Sequence, residues 1–160
     1  MRKCTLFVCI VLLAFFSFSC QHDEIYYHFK ELRNAEWATN DTLVFNIDST
    51  AFEVNRPYDI SLEVTSNITY PYRNIWFFIQ HDIANDSVYT DLSREYFLSD
   101  ELGRSYGAGF GSLHQISFPF DKGIIFKEKR NYQIKIEHGM RDNLLIGIEK
   151  VGIRITKQYQ

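Results

Sequence analysis

Cysteine is scarce in this chain, and none of it lies where a folded domain would form. The 160 residues contain three cysteines, Cys4, Cys9 and Cys20, all within the first twenty positions. The rest of the chain has no thiol for a disulfide or a thiolate metal site. This excludes a disulfide scaffold, yet about 140 residues can still be stabilised by a hydrophobic core alone.

Positive charge is also limited. Lys and Arg number 17 against 20 Asp and Glu, which gives a formal net charge of −3. No stretch concentrates Lys and Arg, so the sequence offers no basic surface for a phosphate backbone. We therefore expect no nucleic-acid partner.

Glycine gathers at positions 103, 107, 109 and 111, but the segment lacks the Gly-Lys-Ser/Thr ending of a phosphate loop. A nucleotide site is therefore not predicted. Small residues at alternate positions from Gly107 to Gly111 indicate a strand bulge or the close approach of another backbone.

No apolar run is long enough for an ordinary membrane-spanning helix. The longest has thirteen residues, from Leu6 to Phe18, whereas a spanning helix needs about 20. Arg2 and Lys3 precede this run and Ser19 follows it, which predicts a secretory signal peptide over residues 1–19. An uncleaved membrane anchor is the alternative. Removal of the leader takes the formal charge from −3 to −5.

Cys20, directly after the apolar run and small Ser19, resembles the lipobox cysteine of bacterial lipoproteins. That resemblance implies a thioether-linked diacylglycerol and an acylated N-terminus, commonly carrying palmitate. Two or more chains anchor a protein stably, since each buried methylene contributes about 0.8 kcal/mol. We expect Cys20 to be the lipid attachment site and the membrane to be a partner through that lipid.

The residues after Cys20 bear on location. Gln21, not Asp, follows the cysteine, which favours the outer membrane over inner-membrane retention. Asp23 and Glu24 form a short acidic run similar to a surface-export signal of lipoproteins, so exposure at the cell surface is a further expectation. A solvated tether is the alternative interpretation of the same residues.

Alternation of apolar and polar residues dominates the rest of the chain. Residues 20–41 are polar with scattered aromatics and are interpreted as the lipidated N-terminus and a tether, and residues 42–160 as a single domain. Period-two patterns, with one segment apolar on both faces at 75–79, indicate strands at residues 43–47, 58–65, 75–79, 88–98, 116–120, 132–137 and 151–155. No helical stripe occurs. The fold class predicted is all-β, a two-sheet antiparallel β-sandwich compatible with a jelly roll.

No catalytic constellation emerges from the polar residues. Histidines stand outside any metal-ligand spacing, and Gly-x-Ser-x-Gly is absent. His81 and Asp82 could form an acid/base pair or bind a metal, but a strand-end turn is favoured. Carboxylates for glycoside hydrolysis would have to come from a set whose spatial spacing is unknown, namely Asp82, Asp86, Asp91, Glu95, Asp100 and Glu101. We predict no catalytic residues, no metal and no cofactor, and hence not an enzyme.

Aromatic residues make up 16% of the chain, including two tryptophans. Exposed Trp37 and Trp76 could stack on sugar rings in a carbohydrate-binding domain, although core packing is favoured for both. Arg141 lies in a tight segment after a strongly alternating strand. It could fix that turn through a carboxylate or contact a partner.

Several segments together resemble the GldH family of gliding motility lipoproteins. They follow the lipobox cysteine in the family's order: Tyr27-His28-Phe29, Trp37, Asn67 to Ile75, Leu102-Gly103-Arg104, Gly107 to Gly111, His138 to Arg141, Leu145 to Ile148 and Val151 to Arg154. The chain departs from the family at Ser17-Phe18 in the lipobox and at Arg104-Ser105-Tyr106, where a tryptophan is expected.

The resemblance implies a cell-envelope lipoprotein of the set needed for gliding, a machinery linked with adhesin secretion. It implies envelope protein partners and carries over no catalytic residue. Since relatives occur in bacteria that do not glide, the broader expectation is a role in an envelope assembly or in secretion. A carbohydrate-binding or glycan-processing surface lipoprotein is the alternative.

Overall fold

The computed structural model describes residues 23–84 and 88–158, except for the side chain of Phe110. The predicted signal peptide and Cys20 lie outside the described residues. A short 3-10 turn occupies Arg33–Ala35. The strands are β1 (Glu24–Glu31), β2 (Glu36–Ala38), β3 (Leu43–Ile47), β4 (Pro57–Asn67), β5 (Asn74–His81), β6 (Thr90–Phe97), β7 (Ala108–Phe110), β8 (Leu113–Ile125), β9 (Tyr132–His138), β10 (Leu144–Ile146) and β11 (Ile148–Lys157).

The strands form two main antiparallel sheets and a small ribbon. One sheet has the order β1-β11-β4-β8-β7, the other has the order β3-β9-β5-β6, and β2 pairs with β10. When the three-residue strands are set aside, the main strands numbered along the chain run 1-8-3-6 and 2-7-4-5. This is the strand order of a jelly roll. The predicted two-sheet β-sandwich is confirmed.

The core lies between the two sheets and follows the alternation of the sequence. On β4, Tyr58, Ile60 and Leu62 point inward and are fully buried. Ile134 and Ile136 of β9 do the same from the opposite sheet. Apolar side chains every second residue place one continuous layer inside, which supplies the main stabilising term.

The prediction that residues 20–41 form a tether is wrong from Glu24 onward. β1 pairs with β11 along its length, from Glu24 opposite Thr156 to Glu31 opposite Lys150, and Trp37 is completely buried. The sequence does not show this strand, because aromatics stand on both faces of β1, with Tyr26 inward and Tyr27 outward, which hides the period of two. The folded domain therefore begins some twenty residues earlier than predicted.

The pairing also defines two ends of the sandwich. Glu24 lies opposite Thr156, and Thr156 lies opposite Asp59, so the chain enters beside the start of β4. We call this the proximal end. The turn at residues 68–73 and the loop at residues 98–107 lie at the other end, the distal end. The eleven residues of β4 span about 35 Å at roughly 3.3 Å per residue, which separates the two ends.

Within residues 23–84 and 88–158, no helix is long and apolar enough to cross a membrane.

Candidate functional site

A hollow of about 460 Å³ lies at the distal end between the β4–β5 turn and the β6–β7 loop. Its lining includes Tyr70 from the turn, Leu98 and Arg104 from the loop, and His114 from β8. Two segments that are far apart in sequence therefore form one concave surface.

The β4–β5 turn is held by hydrogen bonds to Asn67. Its Oδ1 accepts from the Thr69 N–H at 2.8 Å, and its Nδ2 donates to Glu149 Oε1 at 2.6 Å. The Asn67 N–H donates to the Gly147 carbonyl at 2.8 Å. These bonds fix the turn and leave the Ile68 side chain 76% exposed at its tip.

The β6–β7 loop is organised around Asp100. Its Oδ1 accepts from the N–H groups of Leu102 and Arg104, both at 2.9 Å, and its Oδ2 lies 2.7 Å from Arg104 Nε. The backbone hydrogen bond from Arg104, together with the Arg104 side chain, lowers the pKa of Asp100 below its usual value. Leu102 is consequently 80% exposed on a defined loop, and Tyr106 follows at 62%.

Large apolar side chains gather at this end of the molecule. Ile68 lines the hollow, Leu102 and Tyr106 lie next in sequence to the lining residues Gly103 and Ser105, and Leu113 and Ile146 are also exposed at this end. Exposed apolar side chains that lie together mark interaction surfaces, whereas isolated ones carry little meaning. The distal end is therefore a candidate docking surface.

A second exposed surface lies on the outer face of the four-stranded sheet. Trp76 and Phe78, both outward-facing on β5, are exposed by 38% and 52%; we call this pair the aromatic strip. Core packing is confirmed for Trp37, whose Nε1–H donates to the Asp41 carbonyl at 2.7 Å, but it is wrong for Trp76. The two tryptophans differ because β5 buries one face only, and the other face has no covering layer among the described residues.

A buried carboxylate lies on the outer face of the five-stranded sheet, where sequence alternation predicts solvent. Glu63 is 2% exposed, and its Oε1 lies 3.0 Å from Arg154 Nη2. Ser117 Oγ donates to the same oxygen at 2.7 Å, and Gln115 Nε2 donates to Oε2 at 3.2 Å. Since the carboxylate is paired and hydrogen-bonded, this cluster is suited to stabilising the sheet.

Three of the carboxylates singled out by the sequence, in addition to Asp100, serve local structure. Asp82 pairs with Arg130 at 2.8 Å and accepts the Gln133 N–H at 2.7 Å, which confirms a strand-end turn after His81. Asp91 accepts from Gln80 at 2.7 Å, and Glu95 accepts from Asn74 at 2.6 Å. Asp86 lies outside the described residues.

Arg141 and the small-residue segment Gly107 to Gly111 form no catalytic or metal centre among the described residues. In the described part of the chain, no three His, Cys, Asp or Glu side chains come together as a metal-binding group. Arg141 is exposed and lines a hollow beside Trp76, and within the described residues it forms no ion pair. The expected close backbone approach at the small-residue segment is confirmed, since a Cβ on Gly109 would lie 2.2 Å from the Leu113 carbonyl oxygen.

Two histidines are enclosed by the core. His138 lies against the Trp37 ring with the ring centroids 5.3 Å apart, and His81 packs on Phe120 at 5.9 Å. Burial lowers the pKa of both imidazoles, because the charged form loses its hydration. Both rings therefore favour the neutral form.

Comparison with known proteins gives one consistent family. The family model described as GldH lipoprotein matches residues 24–155. A gliding motility lipoprotein GldH homolog of Christiangramia forsetii is 26% identical over 160 residues, covering 96% of this chain and 95% of the relative.

Solved structures are similar only at a low level. A carbohydrate-binding module from a family 9 glycoside hydrolase of Ruminococcus flavefaciens FD-1 has a TM-score of 0.39 at 8% identity, covering 81% of this chain and 97% of the module. The Yersinia pseudotuberculosis-derived mitogen has a TM-score of 0.36 at 4% identity, covering 84% and 88%. TM-scores this low support no inference about function.

Proposed function

The chain belongs to the GldH lipoprotein family, and from this membership we propose that it is a lipid-anchored, non-enzymatic component of a cell-envelope assembly associated with gliding or secretion. Lipid on Cys20 attaches it to the outer membrane. Its distal end binds another protein of that assembly. A surface lipoprotein that binds or processes glycans is the alternative for the chain as a whole.

The observation that carries this proposal is the position of the exposed apolar side chains relative to the point where the chain enters. Cys20 stands four residues before Glu24, the first residue of β1, and four residues reach at most about 14 Å at 3.6 Å per residue. Ile68 and Leu102 lie at the opposite end. A domain attached to the membrane in this way directs its apolar docking surface away from the bilayer, toward other proteins.

The structure of the distal end suits protein recognition. Asn67 and Asp100 fix the two segments that border the hollow, so little side-chain and loop ordering is needed on binding. Leu102 and Tyr106 supply apolar contact area of the kind found at interface centres. Polar groups such as Arg104 form the rim.

The arrangement of the carboxylates supports a non-enzymatic role. A glycosidase needs one carboxylic acid with a raised pKa beside a second carboxylate. Here hydrogen bonds lower the pKa of Asp100, Asp82 is engaged by Arg130, and amides engage Asp91 and Glu95.

Site-specific photo-crosslinking tests this proposal. A benzophenone amino acid replaces Leu102 in the full-length lipoprotein in its native cells, and the matched control replaces Val88, an exposed apolar residue at the proximal end. We expect a discrete adduct with an envelope protein from position 102, weakened at least tenfold by Ile68→Asp. The same adduct from both positions, or none from position 102, would contradict the proposed docking surface.

A further inference from the structure

The aromatic strip lies on the outer face of the four-stranded sheet and has its own polar surroundings, and Tyr72 lines both the hollow beside Trp76 and the distal hollow. On β5, Ile75 and Phe77 are buried, while Trp76 and Phe78 project from the outer face. Their positions two residues apart place them about 6.6 Å apart along the strand. The strip therefore presents two successive rings on a central strand.

Hydrogen-bonding groups border each ring. Glu95 lies directly opposite Trp76, and Phe78 lies between Ser93 and Glu137. The carboxylates are held in place, since Asn74 Nδ2 donates to Glu95 Oε1 at 2.6 Å and, farther along, Gln80 donates to Asp91. Fixed acceptors thus alternate with exposed rings on one surface.

A hollow lies beside each ring. One of about 300 Å³ is lined by Asn74, Trp76 and Met140, and another of about 420 Å³ by Phe78, Asp91 and Lys135. The two hollows flank the strip on the same face of the sheet. A ligand that covers the strip can therefore extend on both sides of it.

The backbone next to the strip is fitted closely to the rings. The Gly139 N–H donates to the Trp76 carbonyl at 2.7 Å, and the Trp76 N–H donates to Met140 Sδ at 3.4 Å. A Cβ on Gly139 would lie 3.0 Å from Phe78 Cε2 and 3.2 Å from Trp76 Cβ, so a larger residue would displace the rings. The strip is preorganised, which lowers the entropy lost on binding.

We propose that the aromatic strip binds a neutral polysaccharide, with sugar rings packed on Trp76 and Phe78 and hydroxyl groups bonded to Glu95 and Asn74. Pyranose rings combine apolar C–H faces with hydroxyls that both donate and accept hydrogen bonds, and the strip offers partners for both. This ligand site is independent of the docking role proposed for the distal end.

The charges on this face select the ligand class. Among the outward-facing positions opposite β5, the carboxylates of Asp91, Glu95 and Glu137 outnumber the ammonium of Lys135, which lies 4.2 Å from the centroid of the Tyr89 ring. Arg141, which lines the hollow beside Trp76, adds a second cation, so the face keeps an excess of negative charge. An acidic polysaccharide would meet like charge. An apolar protein surface that covered the rings would remove water from the carboxylates beside them. Such charges are uncommon at the centres of protein interfaces, so a protein partner is disfavoured here. A neutral, polyhydroxylated chain meets neither obstacle.

Tryptophan fluorescence gives a direct test, because the chain has two tryptophans and one of them is fully buried. Acrylamide quenching of the full chain in detergent reports mainly on Trp76. The probes are three neutral polysaccharides, laminarin, hydroxyethylcellulose and mannan, with polygalacturonate as the acidic comparison. We expect at least one neutral probe to reduce the quenching constant severalfold. No protection by any neutral probe, or equal protection by polygalacturonate, would overturn the proposal.

Variants assign the binding to the strip. In affinity gel electrophoresis on the protective polysaccharide, Trp76→Ala and Phe78→Ala should each weaken retardation at least tenfold, and Trp76→Phe should retain part of it. The matched control is Tyr106→Ala, an exposed aromatic at the distal end. Thermal unfolding of each variant checks that it is folded. Equal retardation of wild type and the strip variants would overturn the assignment.

The proposals for the distal docking surface and for the aromatic strip can be tested independently. Crosslinking from position 102 should be unchanged in Trp76→Ala, since the docking surface lies at the distal end. Loss of both activities in a folded Trp76→Ala protein would show that one surface serves both, which would overturn the assignment of the strip to a separate ligand.

Discussion

Arg154 places its Nη2 atom 3.0 Å from Oε1 of Glu63, on the outer face of the five-stranded sheet, where Glu63 is almost completely buried. Gln115 joins this pair to the first strand, since its Nε2 donates both to Glu63 Oε2 at 3.2 Å and to the Tyr27 hydroxyl at 3.0 Å. The outer face of the larger sheet thus carries a connected polar network that extends from β1 to β8.

Replacement of Glu63 tests how much this network contributes to the stability of the fold. Glu63→Ala leaves Arg154 without its carboxylate partner and removes the hydrogen-bond acceptor of Ser117. We therefore expect the free energy of unfolding to decrease by about 2–3 kcal/mol. Arg154 is partly exposed, which keeps the loss below that of a fully buried pair. Urea unfolding measures the change. Glu31→Ala is the control, because Glu31 is an exposed residue on β1 of the same sheet and lies outside the network, and it should change stability by less than about 0.5 kcal/mol. A loss as small for Glu63→Ala would contradict the account.

The place of β1 in the sheet predicts where the chain can be shortened. A protein that begins at residue 23 retains every main strand, whereas one that begins at residue 42 lacks β1 and the buried Trp37. We expect the first to unfold cooperatively and the second to remain unfolded, because its five-stranded sheet loses an edge strand and the core loses its largest side chain. Circular dichroism with thermal melting distinguishes them. A cooperative melt of the shorter chain would restore the interpretation of residues 20–41 as a tether.

The buried histidines predict a pH dependence of stability. Burial lowers the folded-state pKa of His81 and His138, while Asp82 and Asp121 near His81, and Glu137 and Asp142 near His138, oppose the shift. Below the unfolded pKa of about 6.5 the unfolded chain binds more protons, so the free energy of unfolding should fall as pH decreases from 6.5 toward the folded pKa, by up to about 1.4 kcal/mol per pH unit for each histidine.

Chemical unfolding of wild type and His138→Phe between pH 7.5 and 5.5 measures this effect. The variant should lose part of the slope, since one of the two groups no longer titrates. Parallel curves for the two proteins would show that His138 does not contribute.

Truncation of the two tryptophans should reduce stability by very different amounts. Trp37→Ala removes a buried ring and its hydrogen bond to the Asp41 carbonyl, and we expect a loss of about 3–5 kcal/mol. Trp76→Ala removes an exposed ring, and we expect less than about 1 kcal/mol. Similar losses at both positions in denaturant titrations would mean that Trp76 is covered in solution.

The sequence predicted the strands whose two faces differ clearly, such as β4 and β9, because period-two alternation follows directly from strand geometry. It could not predict β1, where aromatics occupy both faces, nor the burial of Glu63, which depends on side chains from β8 and β11. At β5 the sequence showed two apolar faces without showing whether a layer covers the outer one. The distal surface likewise required the fold, since Ile68 and Leu102 are brought to the same end of the sandwich only by the arrangement of two segments that are distant in sequence.

Lipid attachment at Cys20 is the premise for the orientation of the two ends and is tested most directly by intact-mass analysis and membrane fractionation of wild type beside Cys20→Ala. We predict that wild type carries the added mass of a diacylglycerol and acyl chain, starts at Cys20 and sediments with outer membranes, while Cys20→Ala is soluble. Protease treatment of intact cells then reports surface exposure of the wild type. A soluble, unlipidated wild-type protein would contradict the account.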